Sequence, residues 1–121
     1  MKPELAVGTD IVEVIRIGKL IRNQKFVKRI FTPEEIRYCQ NKKNSAQHFA
    51  VRFAAKEAVW KALGSGSPAQ GISHKEISVR RTPSGQPFIL LSPRLKKFEK
   101  KISLSLSHTK EYAVAVAICH L

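Results

Sequence analysis

The residues of this sequence that could do chemistry together are two carboxylates in apolar surroundings, a histidine that closes an alternating segment, and two cations near one of the carboxylates. They are Asp10, Glu57, His108, Lys61 and Arg52. Proteins commonly hold Mg²⁺ with one or two carboxylates, substrate phosphates and water, so Asp10 and Glu57 suffice as protein ligands. The three basic side chains would supply positive charge to phosphates and to a leaving group. The pattern favours phosphoryl-type transfer.

Several of these residues also have an explanation without chemistry, and the sequence leaves the alternatives open. Asp10 could be a turn residue at the end of a strand, and Glu57 could pair with Lys61 at i+4. A histidine at the apolar end of a strand is more often structural than catalytic. The Walker pattern and zinc-type Cys/His spacings are absent from the sequence, which disfavours P-loop and zinc chemistry.

The segment 52–64 is predicted to form the central helix that positions Glu57. It is rich in Ala, Lys, Glu and Leu, lacks internal Gly and Pro, and ends at a glycine,. Apolar side chains fall on opposite sides at 100° per residue, so burial on more than one side is predicted. Glu57 would then lie among Phe53, Ala54 and Trp60, where an unpaired carboxylate is costly. We expect a cation to meet it.

The elements around this helix are predicted from local patterns. Residues 5–14 have the β-branched composition of an interior strand, residues 15–31 follow a helical pattern, and Thr32-Pro33-Glu34-Glu35 is a helix start with a capping box,. A hairpin over 77–91, a short basic helix over 93–101 and a hairpin over 102–119 complete the chain. This order predicts an α+β fold, with a mainly antiparallel sheet packed on a long central helix, in a single domain covering residues 1–121.

The charge of the chain predicts an anionic partner. Lys and Arg number 22 against 9 Asp and Glu, a formal net charge of +13. Nucleic acid, a phosphorylated small molecule, an anionic membrane and an acidic protein all fit this charge. No acidic residue occurs between Arg16 and Thr32, which favours docking of this stretch on an acidic surface over a merely solvated face. The distant cysteines, Cys39 and Cys119, are expected to be reduced, and the protein is expected to be cytoplasmic without a membrane partner.

Three blocks of the sequence together resemble the signature of the 4′-phosphopantetheinyl transferases. They are Gly8-Thr9-Asp10-Ile11 with Arg16-Ile17, the segment 52–58 with Lys61-Ala62-Leu63-Gly64, and Ser105-Leu106-Ser107-His108. The length of the chain and the spacing of the blocks are similar to the short holo-(acyl-carrier-protein) synthase type. The resemblance covers nearly the whole chain and implies the 4′-phosphopantetheinyl transferase-like fold.

The resemblance implies an activity and a site. The family moves 4′-phosphopantetheine from coenzyme A to a serine of apo acyl carrier protein, with Mg²⁺, releasing 3′,5′-ADP and supporting fatty acid biosynthesis. It implies that Asp10 and Glu57 bind Mg²⁺ and that Lys61 and His108 contact the pyrophosphate. The residues implied around the 3′-phospho-ADP portion are Arg52, Gly64, Ser65, Gly66, Gly85 and Pro87. Glu57 is the hypothesised base, directly or through a metal-bound water, and Lys61 the hypothesised proton donor to the leaving group.

The same resemblance gives the basic stretch a purpose, because acyl carrier proteins are small and acidic. The residues expected to bind the carrier are Arg16, Ile17, Lys19, Leu20, Arg22, Lys25, Phe26 and Arg29. Short members of the family look trimeric, so a homotrimer with active sites between subunits is expected. The alternative is a basic nucleic-acid-binding domain without catalysis. That alternative leaves Asp10 and Glu57 unexplained, so we prefer the enzyme and expect no nucleic acid partner.

Overall fold

A long helix packed on an antiparallel sheet forms the centre of the protein, described by a computed structural model over residues 4–64 and 71–120. The strands are β1 (Leu5–Glu13), β2 (Ile77–Arg81), β3 (Pro87–Leu91), β4 (Ile102–His108) and β5 (Tyr112–His120), and the helices are α1 (Val14–Leu20), α2 (Gln24–Ile30), α3 (Pro33–Gln40) and α4 (Ser45–Gly64). Short 3₁₀ helices cover His74–Glu76 and Pro93–Lys101. The predicted α+β fold is confirmed.

The larger sheet presents its small residues to α4. Its strand order is β1-β5-β4, antiparallel throughout, while β2 and β3 form a separate hairpin. The β5 residues that face the helix are Ala113, Ala115, Ala117 and Cys119, all fully buried. On β1 a Cβ at Gly8 would lie 1.9 Å from the carbonyl oxygen of Ala58. Backbone contact between β1 and α4 therefore requires glycine at this position.

The prediction of one helical stretch over 15–31 was wrong. Two short helices, α1 and α2, occupy this stretch, and Asn23 lies between them. Its side chain accepts hydrogen bonds from the backbone N–H groups of Lys25 and Phe26, at 2.9 and 3.4 Å. An asparagine that caps a new helix start in this way competes with continuation of the preceding helix. The central helix begins at Ser45 and contains the whole predicted segment 52–64.

The start of α3 is fixed by the predicted capping box and by a buried ion pair. The Glu35 N–H donates to Thr32 Oγ1, and the Thr32 N–H donates to Glu35 Oε1 at 2.8 Å. Lys56 Nζ lies 2.7 Å from Glu35 Oε1, with both side chains fully buried. Glu35 Oε2 accepts from the N–H of Val79 at 2.8 Å. This network joins α3, α4 and β2, and it gives Glu35 a role beyond the capping predicted from the sequence pattern.

The same lysine fastens the 3₁₀ helix His74–Glu76 to α4. Lys56 Nζ donates to the carbonyl of His74 at 3.0 Å and also to the carbonyl of Ile77. Burial lowers the pKa of Lys56, and the neighbouring Glu35 carboxylate opposes that shift.

Within the residues described, no helix is both long and apolar enough to cross a membrane.

Candidate active site

Asp10 lies on the face of β1 that packs against α4, where Lys61 reaches it. Lys61 Nζ lies 3.2 Å from Asp10 Oδ1 and donates to the carbonyl of Thr9 at 2.9 Å. The Asp10 side chain is only 17% exposed, whereas that of Lys61 is 46% exposed. Asp10 belongs to the interior of a strand, so the alternative of a turn at the strand end is excluded.

Glu57 meets a histidine that the sequence did not indicate. His74 Nε2 lies 2.9 Å from Glu57 Oε1, and the His74 ring is parallel to that of Phe53, with centroids 5.9 Å apart. The group that meets Glu57 is therefore the imidazole of His74, while Lys61 contacts Asp10. Trp60, expected beside Glu57, is 45% exposed. No spacing in the sequence pointed to His74, because the position of the 3₁₀ helix His74–Glu76 next to α4 is what brings this side chain to Glu57.

The two carboxylates act on each other within one chain. Burial raises the pKa of Asp10 above its usual range; Lys61 opposes the rise, the negative charge of Glu57 adds to it, and Arg16 opposes it more weakly. A divalent cation would offset this repulsion, and oxygen donors suit Mg²⁺. Among the described residues, no group of three or more His, Cys, Asp or Glu side chains could hold a metal ion. Substrate phosphates and water would have to complete the coordination.

Arg52 lies in a different place, a cationic pocket of about 300 Å³. Other residues lining the pocket include Glu34, Glu35, Tyr38, Val79, Arg80, Arg81 and Phe88, and Arg80 is paired with Glu34 at 3.4 Å. The guanidinium of Arg52 lies over the Tyr38 ring at 4.1 Å, and one of its N–H groups donates to the carbonyl of His48 at 3.3 Å. Arg52 is only 3% exposed, and its Nε has no hydrogen-bond partner among the described atoms. A buried, partly unsatisfied guanidinium is suited to binding an anion.

The predicted turn at Gly85 adjoins this pocket. Arg81 donates to the carbonyl of Gly85 at 2.7 Å, and Arg81 is paired with Pro87 across the hairpin. Gly85 has φ +89°, which favours glycine,. Gly64 is the last residue of α4, whereas Ser65 and Gly66 lie outside the described residues.

Within one chain, His108 and Arg52 both act on His48, and the expected contact of His108 with a phosphate stays a prediction. Burial lowers the pKa of His48, and Arg52 and His108 are among the positive groups that lower it further. His108 is exposed at the end of β4, opposite Ala113. Lys61 lies nine residues after Arg52 on α4, about 13 Å along its axis. Within one chain, the carboxylate site and the cationic pocket are therefore separate.

The basic stretch forms an exposed surface that begins at the carboxylate site. Arg16, whose charge acts on Asp10, starts it, and its other exposed cations are Lys19, Arg22, Lys25, Lys28 and Arg29. We call this set the basic patch. Phe26, half-buried, lies 6.1 Å from Phe53, the ring on which His74 stacks. Leu20 is half-buried as well, but Ile17 is fully buried, so its predicted contact with a partner was wrong.

Comparison with known proteins now decides the family. The model of the 4′-phosphopantetheinyl transferase superfamily matches residues 6–117 of this chain. The chain belongs to the 4′-phosphopantetheinyl transferase superfamily. Among relatives, the chain is 43% identical to the holo-[acyl-carrier-protein] synthase of Koribacter versatilis, covering 94% of this chain and 96% of the relative. It is 45% identical to that of Chlamydia felis, covering 93% of each. The predicted family is confirmed.

Solved structures of phosphopantetheinyl transferases share this fold. A holo-(acyl-carrier-protein) synthase from Bacillus anthracis in complex with CoA (3′,5′-ADP) matches with a TM-score of 0.78 and 34% identity, over 95% of each chain. The synthase from Neisseria meningitidis matches with a TM-score of 0.82 and 32% identity, over 96% of this chain and 98% of that one. A Helicobacter pylori synthase in complex with coenzyme A matches with a TM-score of 0.77 and 34% identity, over 92% of this chain and 96% of that one.

Proposed function

We propose that this protein is a holo-(acyl-carrier-protein) synthase that transfers 4′-phosphopantetheine from coenzyme A to a serine of apo acyl carrier protein. The observation that carries the proposal is the pair Asp10 and Glu57, two interacting carboxylates beside Lys61, in a chain of this superfamily. The holo-carrier would serve fatty acid biosynthesis in the cytoplasm.

The reaction exchanges one P–O bond for another. The serine oxygen forms a bond to the β-phosphorus of coenzyme A, and the bond from that phosphorus to the bridging oxygen of the pyrophosphate breaks. Glu57 accepts the serine proton, because its carboxylate lies close enough to Asp10 to act on it and is only partly buried,. Lys61 offsets charge on the leaving 3′,5′-ADP and donates a proton to it.

Magnesium fits the carboxylate pair. Asp10 and Glu57 would hold the ion, and the ion would offset charge on the transferring and leaving phosphates. Lys61 Nζ contacts Oδ1 of Asp10, and this contact limits the freedom of that carboxylate. Arg16 adds positive charge at the point where the carrier serine would arrive.

The cationic pocket is the proposed site of the 3′-phospho-ADP portion. Among the described atoms Arg52 Nε has no hydrogen-bond partner, Arg80 and Arg81 line the same pocket, and Arg81 donates to the carbonyl of Gly85. Tyr38 and Phe88 provide aromatic surface there. Guanidinium groups match phosphate geometry well, and rings offer a surface on which an adenine base could stack.

An assembly of several copies would bring these two sites together. Arg52 and Glu57 are five residues apart on α4, about 140° around the helix, so they leave it on different sides. The sheet face turned away from α4 exposes Leu5, Val7 and Ile11 at 47, 55 and 63%. An apolar patch of this kind marks an interaction surface. We propose a homotrimer in which the pocket of one subunit completes the carboxylate site of its neighbour.

The acidic acyl carrier protein is the proposed partner of the basic patch. None of its cations makes an ion pair of 4 Å or less within the described residues, so the positive charge faces solvent. Steering by such a field raises association rates by about 10 to 10³ at low salt. Phe26 and Leu20 would give apolar contacts between these charges.

The test is the intact mass of an apo acyl carrier protein after incubation with this protein, coenzyme A and Mg²⁺. The wild type is expected to add one phosphopantetheine, and Glu57→Gln is expected to be slower by about 10² to 10⁴. Glu111→Gln, which alters an exposed carboxylate just before β5, is the matched control and is expected to act as the wild type. No mass gain with several carriers would overturn the proposal, and retention on nucleic acid that is insensitive to Glu57→Gln would favour a binding protein.

A further inference from the structure

The hydrogen bond between His74 and Glu57 has no role in the reaction as proposed so far. We propose that His74 is a positioning residue, which holds the Glu57 carboxylate in the orientation needed to bind the divalent ion and to accept the serine proton. This inference rests on the proposed function, because it concerns the same site. It adds a residue that lies outside all three signature blocks.

The backbone of His74 is fixed by groups on two sides. The buried ammonium of Lys56 binds its carbonyl at 3.0 Å. Glu76, at the end of the same 3₁₀ helix, accepts from the N–H of Ser73 at 3.0 Å and forms two hydrogen bonds with Arg94, at 2.6 and 2.8 Å. The short helix therefore cannot easily shift along α4.

The ring of His74 is fixed as well. It stacks on Phe53 with an angle of 10° between the ring planes, and Phe53 lies one turn before Glu57 on α4. A carboxylate is only an acceptor, so Nε2 of His74 carries the proton in the 2.9 Å bond to Oε1,. Both the position and the direction of this N–H group are thus set before any substrate binds.

A fixed donor on one carboxylate oxygen leaves the other for a ligand. Within the described residues, His74 is the hydrogen-bond partner of Glu57, and it contacts Oε1. Oε2 is the oxygen left to meet an ion or the serine hydroxyl. Partners in the second shell of a metal ligand orient it, and their loss typically weakens metal affinity or activity by about 10- to 100-fold.

Two substitutions separate the donor from the ring. His74→Phe keeps an aromatic ring on Phe53 but removes the N–H, whereas His74→Gln removes the ring but keeps an amide N–H. Lys75→Met is the matched control, because it removes an exposed charge from the same 3₁₀ helix without touching Glu57 or the contacts that fix His74. The readouts are Mn²⁺ affinity by electron paramagnetic resonance in the presence of coenzyme A, and kcat for transfer to the carrier.

His74→Phe is expected to weaken Mn²⁺ binding and to lower kcat by about tenfold or more. His74→Gln is expected to restore most of both losses, and Lys75→Met is expected to keep the Mn²⁺ affinity and kcat of the wild type. Wild-type values for His74→Phe would overturn the inference, as would equal losses in His74→Gln or Lys75→Met. Absence of Mn²⁺ binding and of transfer in the wild type would instead overturn the proposed function.

Discussion

The ionised side chain of Asp10, beside Glu57, lowers the stability of the folded chain. Burial and the Glu57 charge raise its pKa despite the contact with Lys61. When a carboxyl group has a higher pKa in the folded chain than in the unfolded chain, the folded state becomes more stable as the pH falls through the folded pKa. It becomes less stable as the pH rises. At pH 7 the ionised Asp10 is therefore net unfavourable.

We predict that Asp10→Asn raises the free energy of unfolding at pH 7 while it lowers phosphopantetheine transfer by about 10²-fold or more, a trade-off typical of active-site residues. Urea denaturation at pH 7 and the intact-mass assay measure the two effects. Glu13→Gln, at an exposed position on the same strand, serves as the control and is expected to change neither. A less stable Asp10→Asn variant would contradict the prediction.

Arg52 is proposed to bind one chemical group of the substrate, the 3′-phosphate of coenzyme A. Its buried Nε has no hydrogen-bond partner among the residues that the structure describes, and a hydrogen bond to a charged group contributes about 1.5 to 3 kcal/mol,. We predict that Arg52→Met raises KM for coenzyme A by about tenfold or more. With coenzyme A that lacks the 3′-phosphate, the wild type and the variant should have similar KM values.

Steady-state kinetics with the two forms of coenzyme A would measure this coupling. Arg37→Met, an exposed arginine paired with Glu34 on α3, is the control for loss of positive charge. An Arg52→Met effect of equal size with both substrates would place Arg52 outside the 3′-phosphate site.

At the scale of elements, the contact between β1 and α4 at Gly8 sets the distance between Asp10 and the helix. A Cβ at this position would lie 1.9 Å from the carbonyl oxygen of Ala58 and 2.8 Å from the N of Ala62. Overpacking of this kind typically costs about 1 to 3 kcal/mol or more. We predict that Gly8→Ala destabilises the fold by at least this amount and also lowers activity, because Asp10 follows two residues later.

Thermal unfolding and the transfer assay test this prediction. Gly18→Ala in α1 is the control, since a Cβ there would meet only the Cβ of Ala46 at 3.4 Å and alanine favours a helix,. It is expected to be neutral or stabilising. Equal Tm values for Gly8→Ala and the wild type would show that the strand can move away from the helix.

Local signals predicted the elements better than the contacts between them. The capping box at Thr32 and the hairpin at Gly85 depend on neighbouring residues, so the sequence predicted both. The ion pair of Lys56 with Glu35 and the bond of His74 to Glu57 join residues 17 or more positions apart. No periodicity marks such pairs, because they depend on how separate elements pack. The carboxylates were predictable as candidates, and their partners were not.

At the scale of the whole molecule, the exposed sheet face predicts self-association. Ile11 is 63% exposed on the face that also carries Leu5 and Val7. We predict that the wild type elutes as an assembly about three times the 13.6 kDa mass of one chain, and that Ile11→Lys elutes as a single chain, because a charge in an apolar interface is costly,.

Size-exclusion chromatography with light scattering measures both masses. Lys97→Glu, an exposed charge change in the 3₁₀ helix Pro93–Lys101, should leave the assembly unchanged. Transfer activity should fall with the assembly in Ile11→Lys, since the pocket and the carboxylates would no longer meet. A monomeric wild type with full activity would exclude the homotrimer.

The backbone contact at Gly8 also bears on how such a protein can evolve. A substitution in a core can be accommodated when neighbouring side chains change volume or rotamer. Two backbones in direct contact have no side chain that could make room. Substitutions of the surrounding apolar residues would therefore change the stability of the fold more than they change the positions of the two carboxylates.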